Sequence, residues 1–440
     1  MKNYFLDLVQ ILNQNINEKE RFLVSFSGEI MDYARLNQGK IRQAGTTEQQ
    51  YLELNLINGK KHASINIGLS KNLSGDRDNL LLSIGKLRAQ LMHSQEDPYF
   101  LCSESDHQSD NITKSTLPSH EVIPASLLKH ASGLDLVGYS ISGPIYKGFA
   151  SSSGQVNWFE KSSFIVDTSI YHSKDKAIKQ SYADYHFDEE TLQQKIDQAR
   201  RGLSLFDQPA IALRPGNYRV YFSPTAVYEL LSMLNWGGFS KKALETKNSP
   251  LLPLQNKSKS LSHLFSLSEN TKEAVGPDFQ SQGFQKKPFV PIIEQGKLRE
   301  ALISPKTAKE YNLEHNGADE AETMCSMDMK GGNLVDNDIL STLGDGLYIN
   351  NLWYLNFSDR MHGCLTGMTR FFCYVVKNGR PQAPFSVMRF DDSIYRIFGE
   401  NLVALTKERE LIIDTSTYDE RSTSCARLPG IIAENVRFTL

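Results

Sequence analysis

The chain has 440 residues, 40% of them hydrophobic and 22% charged, which is the composition of a folded globular protein and excludes a disordered one. Its formal net charge of −3 lacks the excess of Lys and Arg found in nucleic-acid-binding domains, so we expect no nucleic-acid partner. No run approaches the roughly 20 apolar residues that span a bilayer, so we also expect no membrane partner.

The length and the cysteines restrict the organisation further. At about 150 residues per domain, the chain is long enough for two or three domains. The five cysteines are an odd number without a CxxC pair, so the sequence predicts neither a disulfide framework nor a zinc ribbon. A reducing cytoplasm is the simplest location for such a chain.

The apolar pattern of the N-terminal half predicts an antiparallel sheet covered by helices. Apolar residues alternate on both sides of Asn58-Gly59, a strong turn signal, so we expect a hairpin over residues 52–69. Steps of three and four between apolar residues predict helices over 78–94 and 188–206, and we expect both helices to cover the sheet.

Proline and glycine then mark a domain boundary. Pro209, Pro215 and Gly216 interrupt the regular patterns within a short stretch. We therefore predict an N-terminal α+β domain over residues 1–210 and a C-terminal domain over residues 211–440.

The C-terminal half differs from the N-terminal half in composition and periodicity. Residues 241–291 are rich in Lys, Ser, Asn, Gln and Pro, which predicts an irregular excursion with short strands. The final 100 residues alternate between apolar and polar, which predicts strands. The expected fold class is α+β, with an N-terminal antiparallel sheet with covering helices and a C-terminal β-rich domain.

The short motifs that could form a catalytic or metal site are weak signals. Ser83 and Lys86 match the S-x-x-K spacing that can activate a serine, but we expect both on a solvated helix face. His362 and Cys364 could hold one edge of a metal ion, but a pair lacks the third ligand, so we interpret them as ordinary loop residues.

Two further groups lie in the predicted C-terminal strands. Trp353, Tyr354 and Arg370 are candidates for a groove that binds a substrate peptide, although alternating aromatics in strands more often belong to a core. The adjacent Asp391 and Asp392 should point to opposite faces of a strand, which favours a turn or salt-bridge role over acid/base catalysis.

Several long phrases resemble one known family. The segment MDYARLNQGKIRQAG resembles the N-terminal signature of the TldD/PmbA family, in which Arg, Gly-Lys and Arg-Gln follow in this order. The phrases GLYINNLWYLNFSDR, LTGMTRFF, APFSVMRFDDSIYRIFG and LPGIIAENVRFTL are similar to the branch of that family that contains TldE, also called PmbA. The resemblance covers nearly the whole chain.

This resemblance implies a cytoplasmic metalloprotease system that acts on small or unfolded peptides. In it, a TldD-like subunit holds zinc through an HExxxH helix and a Cys near the C-terminus, and a TldE-like subunit pairs with it to form a closed chamber. Residues 219–234, RVYFSPTAVYELLSML, form the matching strand and helix here. Tyr228 and Met233 occupy the places of the two histidines, with Glu229 kept between them, and Cys425 lies roughly where the metal-binding Cys would be.

A phenol and a thioether are poor zinc ligands, so we expect this chain to hold no metal, no cofactor and no catalytic residue. We interpret Cys425 as a buried thiol and expect side chains to fill the space around Glu229. The resulting hypothesis is a non-metal subunit of a TldD/TldE-type protease, with a TldD-like partner, a peptide substrate and a possible homodimer.

Two alternatives stay open. The first is an independent hydrolase that uses Cys425, Cys364 or Ser83 as nucleophile, which would need a base within hydrogen-bond reach. The second is a binding or modulator protein without enzymatic activity, in line with an older naming of the family after gyrase modulation.

Overall fold

The computed structural model describes residues 1–172 and 176–439. Its helices are α1 (Lys2–Asn15), α2 (Leu73–His93), α3 (Val122–His130), α4 (Glu189–Leu203), α5 (Pro224–Asn235), α6 (Lys241–Glu245), α7 (Leu252–Gln255), α8 (Pro305–Tyr311) and α9 (Ile339–Leu343). Short 3₁₀ turns lie at Ser204–Asp207, Thr271–Glu273 and Asp336–Asp338, and a π-helical segment lies at Arg396–Glu400. No helix in this described part of the chain is long and apolar enough to cross a membrane.

An N-terminal sheet contains the strands before α4. These are β1 (Glu20–Asn37), β2 (Lys40–Asn58), β3 (Lys61–Gly68), β4 (Gln108–Ile112), β5 (Asp135–Ser151), β6 (Val156–Tyr171) and β7 (Ala177–Asp184). Their order is β3-β2-β1-β5-β6-β4, with β7 also paired to β6. All of these pairs are antiparallel except β4–β6.

The expected hairpin over 52–69 and both expected helices are present. β2 and β3 pair with Leu52 opposite Ile67 and Leu56 opposite Ala63, so the apolar residues share one face. Helix α2 begins earlier than predicted because the Asn72 side chain caps its first turn, accepting hydrogen bonds from two backbone N–H groups.

Aromatic side chains join the sheet to its covering helices. Trp158 on β6 is fully buried, and its ring lies 5.8 Å from Phe5 of α1 and 5.6 Å from Phe26 of β1. Leu80 and Leu87 of α2 belong to the same buried cluster. Helices α1 and α2 therefore cover β1–β3, while α4 packs against β7.

A C-terminal sheet contains the remaining strands. These are β8 (Gly216–Phe222), β9 (Leu267–Glu269), β10 (Val290–Glu294), β11 (Lys297–Leu298), β12 (Ser326–Met329), β13 (Gly346–Asp359), β14 (Cys364–Lys377), β15 (Arg380–Pro384), β16 (Arg389–Ser393), β17 (Leu402–Ile413) and β18 (Cys425–Phe438). Their order is β11-β10-β9-β12-β18-β16-β14-β13-β8, with β15 on β14 and β17 on β18. Because β8 also pairs with β18, the strands β8, β13, β14, β16 and β18 close into a ring. The predicted α+β fold class with a β-rich C-terminal half is confirmed.

The segment 241–291 is more regular than predicted. It contains the short strand β9 and also two short helices, α6 and α7, that the sequence analysis did not anticipate. Ser240 starts the first of them, since its hydroxyl accepts a hydrogen bond from the Ala243 N–H at 3.0 Å. Helices of four or five residues are too short to produce a recognisable period.

The two sheets share buried side chains. One cluster joins Phe164 and Ile178 of the N-terminal sheet to Tyr221, Phe372 and Tyr374 of the C-terminal sheet. The predicted domain boundary between residues 210 and 211 lies between β7 and β8 in the sequence. It stays a prediction, since this core belongs to both sheets.

The loop before β18 is clamped to the N-terminal sheet by a buried ion pair. Arg421 Nε lies 2.9 Å from Glu29 Oε2, and both side chains are only 3% exposed. Arg421 Nη2 also donates to the carbonyl oxygens of Gly143 and Pro144, at 3.0 and 2.9 Å. Gln49 donates to the second oxygen of Glu29 at 2.7 Å, so both charged groups are well provided with partners.

This clamp yields a stability prediction. Arg421→Met leaves the Glu29 carboxylate buried without its cation, and breaking a buried pair in this way lowers the free energy of unfolding by about 3–5 kcal/mol. Adding Glu29→Gln should recover part of that loss, because the double variant has no buried charge at this place. Denaturant titration of the single and double variants measures both effects.

The control variant for these measurements is Arg21→Met. Arg21 pairs with Glu104 at 3.0 Å, but both side chains are largely exposed, so its loss should change the free energy of unfolding by less than about 1 kcal/mol. An effect of Arg421→Met as small as that of the control would contradict the role given to the clamp.

Candidate functional site

The residues 219–234 form a strand followed by a helix, as predicted. Strand β8 lies between β13 and β18, and helix α5 starts directly after it at Pro224. The Ser223 hydroxyl caps α5 by accepting from the Ala226 N–H at 3.2 Å, and it donates to the Asn350 carbonyl at 2.6 Å. These bonds fix the start of α5 against β13.

Helix α5 buries its apolar face in the C-terminal core. Its buried residues are Ala226, Val227, Leu230, Leu231 and Leu234. Met233 is partly buried and packs against the same core. A thioether in this position contributes packing, and its surroundings are those of an ordinary core methionine.

Glu229 is half-buried and joined to β13 by hydrogen bonds. One carboxylate oxygen accepts from the Leu352 backbone N–H, and the other accepts from Asn351 Nδ2 at 3.4 Å. Burial raises the pKa of Glu229 to about 7, although the bonds from Leu352 and Asn351 and the charge of Lys179 act in the opposite direction. The carboxylate is thus engaged with β13, where the strand pairing shifts register next to Asn351.

A chain of polar contacts continues from this carboxylate into the N-terminal sheet. Asn350 Nδ2 donates to Asn351 Oδ1 at 2.7 Å and to the Lys179 carbonyl of β7 at 3.1 Å. Lys179 Nζ in turn lies 2.9 Å from Asp167 Oδ2 on β6. Glu229 is therefore the first member of a network that crosses between the two sheets.

Tyr228 is a phenol in a partly buried position. Burial raises its pKa to about 12, the charge of Asp414 adds to the increase, and a hydrogen bond with Ser232 opposes it. Tyr228 is therefore protonated at neutral pH. Helix α5 packs against β18, the strand that begins at Cys425.

Cys425 is the first residue of β18 and is 3% exposed. Its thiol donates to Ser326 Oγ at 3.5 Å, and its backbone N–H donates to the Cys325 carbonyl at 2.8 Å. Burial raises the pKa of the Cys425 thiol. The thiol is consequently protonated at neutral pH and packs as a small apolar group.

The chemistry of the four positions is unfavourable for zinc. Zinc requires three or four neutral imidazoles, thiolates or carboxylates directed at one point. Here the phenol and the thiol are protonated, Met233 lies against the core and the Glu229 carboxylate is bound to β13. In residues 1–172 and 176–439, no group of three or more His, Cys, Asp or Glu side chains is arranged to hold a metal ion.

The three groove candidates meet in one exposed cluster. Trp353 and Tyr354 are 46% and 67% exposed, and their rings stack with centroids 4.0 Å apart. The Arg370 guanidinium lies 3.4 Å from the centre of the Trp353 ring. Asn351, which binds Glu229, is the β-sheet partner of Arg370, so this aromatic cluster directly adjoins the Glu229 network.

The hydrogen-bond partners of the candidate nucleophiles differ from those of an activated group. In the described part of the chain, no hydrogen bond joins the Ser83 hydroxyl or the thiols of Cys364 and Cys425 to a His, Asp or Glu side chain. The Cys364 thiol donates to the His362 backbone carbonyl at 3.8 Å, while the His362 ring binds Asp359 at 2.7 Å. This arrangement does not activate any of the three groups.

One expectation about these residues is wrong. Ser83 is buried at 6% exposure, whereas we expected it on the solvated face of its helix together with Lys86. Ser83 follows Leu80 by three residues and precedes Leu87 by four, so it lies on the buried stripe of α2. Lys86 is exposed as expected.

The interpretation of the adjacent aspartates is confirmed. Asp391 pairs with Arg389 at 2.9 Å, and Asp392 pairs with Arg396 at 2.8 Å. Both carboxylates therefore have structural partners.

The sequence analysis missed a buried polar group near Cys425. Lys161 Nζ lies 3.7 Å from the centre of the Tyr185 ring and donates to the Ala274 carbonyl at 2.8 Å, and burial lowers its pKa. Glu269 accepts from the Ser326 N–H at 3.1 Å, and burial raises its pKa to about 7. The single Lys in the apolar strand NWFEKSSFIV was a signal for such a group.

The raised pKa of Glu229 predicts a pH-dependent stability. The ordinary value of 4.5 applies to the unfolded chain, and the folded value is about 7, so the folded state holds this proton more tightly. The contribution of Glu229 to the free energy of unfolding therefore falls as the pH rises from about 4.5 to about 7. The Glu229→Gln side chain cannot ionise. Above pH 7, the free energy of unfolding of this variant should therefore exceed that of the original protein by about 1–3 kcal/mol.

Denaturant titrations at about pH 5 and about pH 8 test this prediction. The control is Glu18→Gln, since Glu18 is exposed and its replacement should give the same difference at both values. A difference between Glu229→Gln and the original protein that does not change with pH would show that Glu229 ionises normally.

Comparison with solved structures shows a common fold over the whole chain. TldE from Thermococcus kodakarensis superposes with a TM-score of 0.78 at 14% identity, covering 99% of this chain and 100% of that one. A proposed DNA gyrase modulator from Thermotoga maritima gives 0.75 at 13% identity and covers 100% of both chains. A second such protein, from Bacteroides thetaiotaomicron, gives 0.73 at 16% identity and covers 100% of this chain and 98% of that one.

The sequence comparisons identify the family. A search of curated proteins finds no match. The family described as the PmbA/TldA metallopeptidase C-terminal domain matches residues 215–440, slightly more than half of the chain. This match includes β8, α5 and every strand of the C-terminal sheet. The chain belongs to the PmbA/TldD metallopeptidase family.

Proposed function

We propose that this chain is the non-metal subunit of a two-chain cytoplasmic metalloprotease in which a TldD-like partner holds the zinc. The observation that carries the proposal is which side chains α5 presents and what they contact. Its carboxylate, Glu229, binds the Leu352 N–H, and the flanking positions hold a phenol and a core thioether where zinc would need imidazoles. The fold shared with a protein named TldE supports the same assignment.

In this proposal, the chain supplies shape and peptide contacts. It pairs with the TldD-like subunit and encloses a chamber that admits small or unfolded peptides. The exposed cluster of Trp353, Tyr354 and Arg370 is suited to peptide contact, because aromatic and Arg side chains offer large rigid surfaces and several hydrogen-bond donors. A homodimer in the absence of the partner is part of the same proposal.

The two alternatives have less support. An independent hydrolase needs an activated nucleophile, and the thiols of Cys364 and Cys425 both have raised pKa values through burial. A modulator without enzymatic function rests on the descriptions of two structurally similar proteins, whose identities of 13% and 16% support a common fold alone.

Co-expression with a TldD-like chain tests the proposal. We expect a complex that survives size-exclusion chromatography at micromolar concentration and cleaves unfolded peptides, while this chain alone cleaves none. Trp353→Ala combined with Arg370→Ala should reduce kcat/KM of the complex by about tenfold or more, as removal of a contact worth about 1.4 kcal/mol does.

The control pair is Tyr99→Ala with Arg77→Ala, an exposed aromatic and an exposed Arg elsewhere on the surface. It should leave cleavage unchanged. Failure of the two chains to associate at micromolar concentration would remove the proposal. Peptide cleavage by the isolated chain that is lost on Cys425→Ala would instead favour the independent hydrolase.

A further inference from the structure

Arg370 on β14 differs from the other buried or partly buried arginines of the chain. The others are Arg88, Arg219, Arg360, Arg396, Arg421 and Arg427, which bind carboxylates or, for Arg360, backbone carbonyls. Within residues 1–172 and 176–439, no ion pair or hydrogen bond joins the Arg370 guanidinium to another residue. A partly desolvated cation without a counter-charge is unfavourable, so Arg370 is suited to receive an anionic group from a ligand.

Aromatic rings hold the Arg370 guanidinium in place. Its central carbon lies 3.4 Å from the centre of the Trp353 ring and 4.8 Å from the centre of the Phe371 ring. Contacts of this kind occupy the flat face of a guanidinium and leave the N–H donors at its edge free. A ligand can therefore meet these donors in the plane of the group.

The pairing of β13 with β14 explains why these side chains meet. Trp353 is opposite Met368, two residues before Arg370, so Trp353 and Arg370 are diagonal neighbours on one face. The pairing shifts register on both sides of this point, and Tyr354 and Phe371 have φ values of +50° and +59°. Such values are uncommon for bulky residues, and bulges redirect the side chains near them. The strands are thus distorted where the rings surround Arg370.

Lys179 of β7 also lies near these rings. Its ammonium is 6.0 Å from the centre of the Phe371 ring and 2.9 Å from Asp167 Oδ2. The charge of Lys179 is therefore compensated by Asp167, whereas the charge of Arg370 is not compensated by any described residue.

The free donors and the exposed rings together define the ligand. Two parallel N–H groups of a guanidinium match the two oxygens of a carboxylate. Trp353 and Tyr354, which are 46% and 67% exposed, lie beside these donors and suit an apolar side chain. In an extended peptide, successive side chains point to opposite faces, so the neighbours of an internal Asp or Glu face away from its carboxylate. A C-terminal carboxylate, in contrast, is bonded to the Cα that carries the last side chain.

We infer that Arg370 binds the C-terminal carboxylate of a peptide whose last side chain packs on Trp353 and Tyr354. The inference rests on the proposed function and makes it more specific, since the chain would select peptides by their free C-terminus and an apolar last residue. Arg370 acts here as a binding residue, and the rings hold it in position for the carboxylate.

Fluorescence anisotropy with two labelled peptides tests this inference on the isolated chain. Both peptides consist of Gly and Ser, carry fluorescein at the N-terminus and end in Phe, one as the free acid and the other as the amide. The original protein should bind the acid at least about tenfold more tightly, as hydrogen bonds between charged groups predict. In Arg370→Gln, this ratio should fall to about one, because the guanidinium is lost.

Two further variants separate charge from packing. Tyr354→Ala should weaken binding of both peptides and keep their ratio, since it removes apolar surface and no charge. The matched control is Arg360→Gln, because Arg360 also lies over a ring, that of Phe357, but its donors already bind the Trp236 and Asn248 carbonyls. It should keep the ratio of the original protein. Each ratio comes from one protein sample, so a fraction of unfolded protein cancels.

Three results would each overturn the inference: equal binding of the acid and the amide by the original protein, a preference that survives Arg370→Gln, or an amide with an internal Glu that binds as tightly as the acid. These results differ from a failure of the proposed function. A complex that cleaves peptides while this chain ignores their C-terminus would keep the proposed function and remove the inference. Selective binding of the acid by a chain that associates with no TldD-like partner would do the reverse.

Discussion

The buried ion pair between Arg421 and Glu29 holds the loop before β18 against the N-terminal sheet, next to the apolar core that both sheets share. Two charges that are almost fully removed from water are stable only when each finds its partner in good geometry. The pair therefore admits one position of the loop before β18 relative to β1. Cys425 follows this loop directly and begins β18, where its thiol donates to Ser326.

Polar side chains attach helix α5 to the rest of the fold. Ser223, Glu229 and Asn351 connect the helix to β13 through a bulged stretch of strand, and Asn350 extends the connection to β7. Because the Glu229 carboxylate is desolvated and accepts a backbone N–H, its role in this structure is to hold α5 against β13. Within residues 1–172 and 176–439, its hydrogen-bond partners are Asn351 and Leu352, and neither is a zinc ligand. This physical reason, more than the fold, supports a partner that provides the metal.

Local pattern was sufficient to predict much of this fold, whereas long-range contacts were not. The alternation around Asn58-Gly59 predicted the β2–β3 hairpin because turn and apolar face are both set within a few residues. The placement of β8 between β13 and β18 joins residues more than a hundred positions apart, and no local period reports it. Ser83 was misplaced because a small polar residue on an apolar stripe resembles a solvated one. The positions of Tyr228 and Cys425 came from a family resemblance, while the packing of α5 against β18 required the structure.

The central claim is that this chain contributes structure and peptide contacts while a partner contributes zinc. Elemental analysis of the chain purified alone tests this claim most directly, because it asks whether the α5 region binds metal at all. The account predicts far less than one zinc per chain, with no change on Glu229→Ala or Cys425→Ala. About one zinc per chain that is lost in either variant would contradict it and would make this chain a metalloprotease in its own right.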